Sequence, residues 1–184
     1  MGIQLWEQSQ QSVNSFENLY AVYDKCFSGD GAKILSLAED GSVRVWESAT
    51  GKAVVRLSCP TEAHGAIFVK GGSQIAAWSK GKTIAVWDMP DGKFANGFPL
   101  GKDLKDERDN VTVSPDGRFL LTGHGNQTVR VRDLATGKQL HQYETEPQGS
   151  PRSLTFSPDS RMAAGGSFRG WVYLWSMPSL ERER

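Results

Sequence analysis

The sequence predicts an all-β fold built from repeated four-stranded antiparallel sheets. Three observations support this prediction: one short alternating run recurs along the chain, its copies start 40, 41, 45 and 43 residues apart, and no stretch has helical periodicity. The copies are IQLWE at 3–7, VRVWE at 43–47, IAVWD at 84–88, VRVRD at 129–133 and VYLWS at 172–176. We call them the Trp runs.

Each repeat contains the same order of elements. A Trp run is followed by a turn whose fourth residue is Gly, which supplies the positive φ that closes a short hairpin. A short outer strand, a variable polar loop, an inner strand, a second turn and a strand of small residues follow. The first turns are SATGK at 48–52, MPDGK at 89–93 and LATGK at 134–138. Each repeat therefore supplies four strands with period-2 patterning.

A four-stranded sheet of this size has two faces to bury. Repeats that stack face to face around an axis bury both, which is the arrangement of a β-propeller. The 184 residues are therefore predicted to form one propeller domain of about four blades, or the C-terminal part of a larger one. The approximate repeat units are 1–40, 41–81, 82–126, 127–170 and a partial unit at 171–184.

Several short motifs resemble those of the WD-repeat family. They are the SPDG turn at 114–117, VWD at 86–88 and ATGK at 135–138, and the repeat period matches as well. The resemblance covers essentially the whole chain and is to a degenerate, bacterial-type member. It implies one blade per repeat, with each sequence repeat staggered across two blades. It also implies a ring that is commonly closed by pairing N-terminal and C-terminal strands.

The chain departs from the polar network that this resemblance implies. That network uses an Asp in the turn before the Trp run, a Gly-His pair before the innermost strand, and a Ser or Thr between them. Asp40 occupies this turn in one repeat and Asn126 is a possible substitute in another, whereas Gly81 and Arg169 cannot replace the Asp. No loop before an innermost strand has the Gly-His pair. Arg132 stands in place of the Trp in one Trp run. We expect three tryptophans to be structural, each covering the next blade: Trp46, Trp87 and Trp175.

The number of Trp runs does not match a closed ring. The chain has five Trp runs but only four copies of each kind of strand that precedes a Trp run within a repeat. SMPSLERER at 176–184 has no apolar alternation that could form an outer strand after the last Trp run. We interpret the chain as part of a larger propeller. One alternative is a ring completed by self-association, and another is a four-blade ring closed by SVNSFE at 12–17 against VYLWS.

Composition and motifs point away from catalysis, nucleic acids and membranes. Lys+Arg and Asp+Glu are equal at 21 each, so no net charge attracts nucleic acid or an anionic membrane, and no apolar run is long enough to span a bilayer. Gly81-Lys82-Thr83 lacks the first glycine of a phosphate loop, because Ala76 stands there, and it joins two predicted strands. The three histidines share no metal-ligand spacing. No catalytic residue, cofactor or metal site is predicted.

The two cysteines, Cys26 and Cys59, are too few for a disulfide framework, and the N-terminus has no secretory signal. We therefore expect reduced thiols and a cytoplasmic protein.

The loops before the innermost strands and the turns before the Trp runs are predicted to share one face of the propeller, the usual docking face in the family. The candidate partner-binding residues on this face are Tyr20, His64, Lys102, Arg108, Phe168, Arg169 and Trp171. Aromatic residues and arginine are enriched at binding hot spots.

The predicted function is that of a non-enzymatic scaffold that binds other proteins. One alternative is a regulatory or sensing propeller within a larger bacterial signalling protein, such as one with a kinase. A weaker alternative is an enzymatic propeller, which needs polar groups converging at the axis. The innermost strands instead are mainly apolar, with Asp24 and Lys25 their charged residues.

Overall fold

The computed structural model describes residues 2–6, 12–17, 21–59, 63–79, 83–100, 110–124, 127–145, 151–167 and 169–178. This part of the chain contains seventeen β-strands and one 3-10 turn at Lys70–Gly72. None of its helical segments has the length and apolarity needed to cross a membrane. The chain divides into two compact units, Met1–Gly97 and Phe98–Arg184, which are described separately.

The first unit contains a strand pair and two blades. Strand β1 (Gly2–Trp6) pairs with β2 (Ser12–Glu17) in a two-stranded sheet. Blade I is the antiparallel sheet β3 (Val22–Phe27), β4 (Lys33–Ala38), β5 (Ser42–Glu47) and β6 (Ala53–Ser58). Blade II consists of β7 (Ala63–Val69), β8 (Gln74–Ser79), β9 (Thr83–Asp88) and β10 (Lys93–Pro99). SVNSFE is thus paired with IQLWE, and the alternative that closes a ring with SVNSFE against VYLWS stays a prediction.

The second unit contains two more blades. Blade III is β11 (Val111–Val113), β12 (Phe119–His124), β13 (Thr128–Asp133) and β14 (Gln139–Glu144). Blade IV has three strands among the described residues: β15 (Pro151–Phe156), β16 (Met162–Ser167) and β17 (Val172–Ser176). The prediction of an all-β fold made of antiparallel four-stranded blades is confirmed.

Glycines occupy the turns that the sequence assigned to them. Gly51 and Gly137 are the fourth residues of SATGK and LATGK, and their φ angles are 73° and 74°. A residue with a Cβ atom is strained in this left-handed region, so glycine lets the chain reverse directly after the Trp run. The backbone N–H of Gly51 donates to the carbonyl of Glu47, which closes the turn.

The core of the first unit lies between blades I and II. Leu35 and Val45 are paired across β4 and β5, and both are completely buried. From blade II, Trp87 and its partner Ile75 pack into the same cluster. Trp87 therefore covers the preceding blade, and the expectation that it covers the next one is wrong.

The core of the second unit repeats this arrangement. Leu121 and Val131 of blade III are paired and buried, and Trp175 of blade IV packs against them beside Ala163. Trp175 also covers the preceding blade rather than the next. Alternation along each of these two strands places the Trp on the face of its sheet that lies against the preceding blade.

Candidate protein-binding surfaces

A buried hydrogen bond holds the tryptophan of blade I. Trp46 pairs with Ile34 across β4 and β5, and its indole Nε1–H donates to Ser36 Oγ at 2.9 Å. Ser36 is completely buried, so this hydrogen bond satisfies polar groups that have no access to water. The sequence analysis expected a Ser or Thr in this network but did not name Ser36, which lies two residues after the partner of the Trp.

Asp40 holds the turn between β4 and β5. Its Oδ1 accepts hydrogen bonds from the backbone N–H of Ser42 at 3.0 Å and from Ser42 Oγ at 2.5 Å, and Oδ2 pairs with Arg44 and Arg56. Desolvation raises the pKa of Asp40, but the hydrogen bonds from Ser42 and the charges of the two arginines outweigh this effect and lower its pKa below the ordinary value. Asp40 is therefore a charged turn residue, and both of its carboxylate oxygens have hydrogen-bond or ion-pair partners.

In blade III an arginine stands where the other blades have tryptophan. Arg132 pairs with Leu120 in the same register as Trp46 with Ile34. Its Nη1 donates to Thr122 Oγ1 at 3.3 Å, and Thr122 also shares a 3.0 Å hydrogen bond with His124 Nε2. Thr122 is thus the counterpart of Ser36, and the hydrogen bond between Arg132 and Thr122 takes the place of the one between the Trp46 indole and Ser36.

The structure describes some of the predicted partner-binding residues. His64 is exposed at the start of β7, and Arg169 and Trp171 are exposed in the turn between β16 and β17, where the side chain of Trp171 is 54% exposed. His64 belongs to the first unit and the other two to the second. Four candidates lie outside the described residues: Tyr20, Lys102, Arg108 and Phe168. Gly81, Lys82 and Asn126 lie outside them as well.

A groove lies at one edge of blades I and II. Its described lining is Tyr23, Ala38, Glu39, Gly41, Ala63 and His64, and its volume is about 490 Å³. Ala38 and Ala63 are buried, whereas the side chain of Tyr23 is 64% exposed and Glu39 and His64 are exposed. The sequence analysis named His64 but missed Tyr23, although alternation in VYDKCF places it opposite the core-facing Cys26.

An exposed apolar face lies on blade IV. Val172 and Leu174 of β17 are 73% and 68% exposed. They pair with Gly166 and Ala164 in the register in which Val43 and Val45 of blade I pair with Leu37 and Leu35. Val43 and Val45 are completely buried because blade II packs on them. The face of blade IV that carries Val172 and Leu174 is therefore exposed, whereas the equivalent face of blade I is buried against blade II.

No group of three His, Cys, Asp or Glu side chains within the described ranges could hold a metal ion. Thr83 begins a β-strand, whereas a phosphate loop leads into a helix N-terminus. Cys26 and Cys59 are free thiols, and burial raises the pKa of both, that of Cys59 to about 11.

Comparison with known proteins gives matches along most of the chain. The family described as "WD domain, G-beta repeat" matches residues 9–47, 106–133 and 137–176. The serine-threonine kinase receptor-associated protein of Gallus gallus is 28% identical over 149 residues, which are 81% of this chain and 41% of that protein. The LST8 homolog of Drosophila melanogaster is 25% identical, over 86% of this chain and 52% of its own length.

A third relative, the eukaryotic translation initiation factor 3 subunit I of Emericella nidulans, is 27% identical over 84% of this chain and 49% of that protein. The chain therefore spans about half, or less, of the length of these curated relatives. Two of these relatives, a receptor-associated protein and a subunit of an initiation factor, are by name proteins that associate with other proteins.

Proposed function

Because the chain belongs to the WD-repeat family, we propose that it is a non-enzymatic scaffold that binds other proteins through surfaces of its blades. The observation that supports this most directly is the exposed face of blade IV, where Val172 and Leu174 lie in solvent. Contiguous exposed apolar residues mark surfaces where proteins associate. The names of the relatives support a role in association rather than catalysis.

The partner that we propose for this face is a second copy of the chain. A two-fold dimer uses the same patch on both copies, so the Val172 and Leu174 face needs no other complementary surface. Blade IV has three strands among the described residues, so the outer edge of β17 is also open there. Burying two such valine and leucine side chains contributes roughly 1.5–3 kcal/mol for each.

Light scattering on the purified chain tests this proposal. We expect a concentration-dependent shift from 20.2 kDa towards twice that mass. Leu174→Lys should restore a monomer, because a lysine cannot be buried in an apolar contact without a partner. The control is Gln139→Lys, which adds the same charge at an exposed position of β14. A wild-type chain that stays at 20.2 kDa at high concentration would contradict self-association.

An alternative role is that of a regulatory or sensing module within a larger protein. The incomplete coverage of the relatives, 41% and 52% in two cases, supports it. The mass of the native gene product in cells separates the two roles: a product much larger than 20.2 kDa supports the module, and one of 20.2 kDa supports the separate scaffold.

We further propose a cytoplasmic location. Two free thiols, Cys26 and Cys59, are in keeping with a reducing compartment. Fractionation of cells that express the tagged protein tests this, and recovery outside the cytoplasmic fraction would contradict it.

A further inference from the structure

Two neighbouring innermost strands each carry one extra residue near their start. The register of β3 passes from Val22 to Asp24 and leaves out Tyr23, and that of β7 passes from Ala63 to Gly65 and leaves out His64. A β-bulge of this kind redirects a side chain away from its place in the ladder and is frequent beside functional sites. Here both bulges direct their extra residue to the same groove between blades I and II.

The described lining of the groove also includes a carboxylate, that of Glu39. Glu39 is exposed and forms no ion pair with any residue in the described part of the chain. The neighbouring Asp40, by contrast, is already occupied by Arg44 and Arg56. Among the described lining residues, the charge that the groove offers to a ligand is therefore the negative charge of Glu39, set between an exposed phenol ring and an exposed imidazole.

We propose that this groove binds an arginine side chain presented by a partner protein. A guanidinium group is planar, so it can stack on the ring of Tyr23 while its N–H groups donate to the carboxylate of Glu39. The imidazole of His64 offers a further hydrogen-bonding nitrogen. The volume of about 490 Å³ lies in the range of ligand sites, and the buried methyl groups of Ala38 and Ala63 provide an apolar floor.

Lysine fits these groups less well. Its ammonium group is a compact, strongly hydrated charge that neither stacks on an aromatic ring nor forms a forked contact with a carboxylate. The proposal rests on the protein-binding role proposed above but uses a different surface, since the self-association face lies on β17. The two can therefore fail separately.

Nuclear magnetic resonance titration of the ¹⁵N-labelled full chain tests the proposal. The probe is acetyl-Gly-Arg-Gly-amide, and the same peptide with Lys or Gln in place of Arg serves for comparison. We expect the arginine probe to shift the amide signals of Tyr23, Glu39, Gly41 and His64, and to bind about tenfold more tightly than the glutamine probe. Equal binding of the arginine and glutamine probes, or of the arginine and lysine probes, would overturn the proposal.

Variants locate the binding. Glu39→Gln removes the charge but keeps the shape, and Tyr23→Ala removes the ring; each should weaken the arginine probe about tenfold. Glu144→Gln, an exposed change on β14 that does not line the groove, is the matched control and should leave the affinity unchanged. Unaltered amide spectra away from the groove show that each variant is folded. An arginine affinity that Glu39→Gln does not change contradicts the assignment.

Discussion

At the scale of single residues, the tryptophans contribute both apolar area and a hydrogen bond. Trp46 is 7% exposed, and its Nε1–H is bound to the buried Ser36. We expect Trp46→Ala to lower the free energy of unfolding by about 3–5 kcal/mol, the usual cost of truncating a buried aromatic residue. Urea unfolding followed by circular dichroism measures this. A variant with wild-type stability would show that the indole is not packed as described.

A second residue-scale prediction concerns the thiol of Cys59. Burial raises its pKa to about 11, and the thiolate is the form that reacts. In the native protein at pH 8 we therefore expect Cys59 to react with Ellman's reagent much more slowly than in urea, and to react faster as the pH rises towards 11. The Cys26→Ser variant isolates the signal of Cys59. Equal rates in the folded and unfolded protein at pH 8 would contradict the raised pKa.

At the scale of elements, a glycine makes room for one of the two bulges that line the groove. A Cβ atom on Gly65 would lie 2.3 Å from Cζ2 and 2.5 Å from Cε2 of the Trp78 ring, so the ring packs directly on the backbone that follows His64. We expect Gly65→Ala to destabilise the protein by about 1–3 kcal/mol, the range for overpacking. Because it disturbs the His64 bulge, it should also weaken the arginine probe.

The matched control for Gly65→Ala is Gly29→Ala. A Cβ atom at Gly29 meets nothing within 4 Å, and no left-handed backbone is required there. Its effect on the free energy of unfolding should stay within about 0.5 kcal/mol, as for most surface changes. If the two variants have the same melting temperature, the contact between Gly65 and Trp78 does not constrain the bulge.

Some features of the strands and turns could be predicted from the sequence, and others could not. The strands and the Gly51 and Gly137 turns were predictable because alternation and a Gly in fourth position are local signals. The face on which Trp87 packs was not, because both faces of a blade are buried and the pattern is the same for either. A bulge shifts the register by one residue and leaves no mark in composition, so alternation could indicate that Tyr23 is exposed but not that it lines the groove.

At the scale of the whole molecule, the repeat period predicted the class of fold. Each sheet needs neighbours to cover its faces, and this requirement follows from the number of strands and the apolar pattern alone. The exposure of Val172 and Leu174 is evident only from the structure, because valine and leucine are as apolar as the buried Val43 and Val45 at the equivalent positions of blade I. The groove likewise depends on two blades meeting, which no single repeat specifies.

The balance of charge over the whole chain gives a last prediction. The formal net charge is zero at pH 7 and the isoelectric point is about 6.8, so near neutral pH no net repulsion opposes association through the blade IV face. Raising the pH to about 9 makes the chain negative, and the self-repulsion should shift the mass measured by light scattering towards 20.2 kDa. Adding about 1 M sodium chloride at pH 9 screens this repulsion and should restore association. Salt that dissociates the complex at neutral pH would instead show that ion pairs, and not Val172 and Leu174, hold it together.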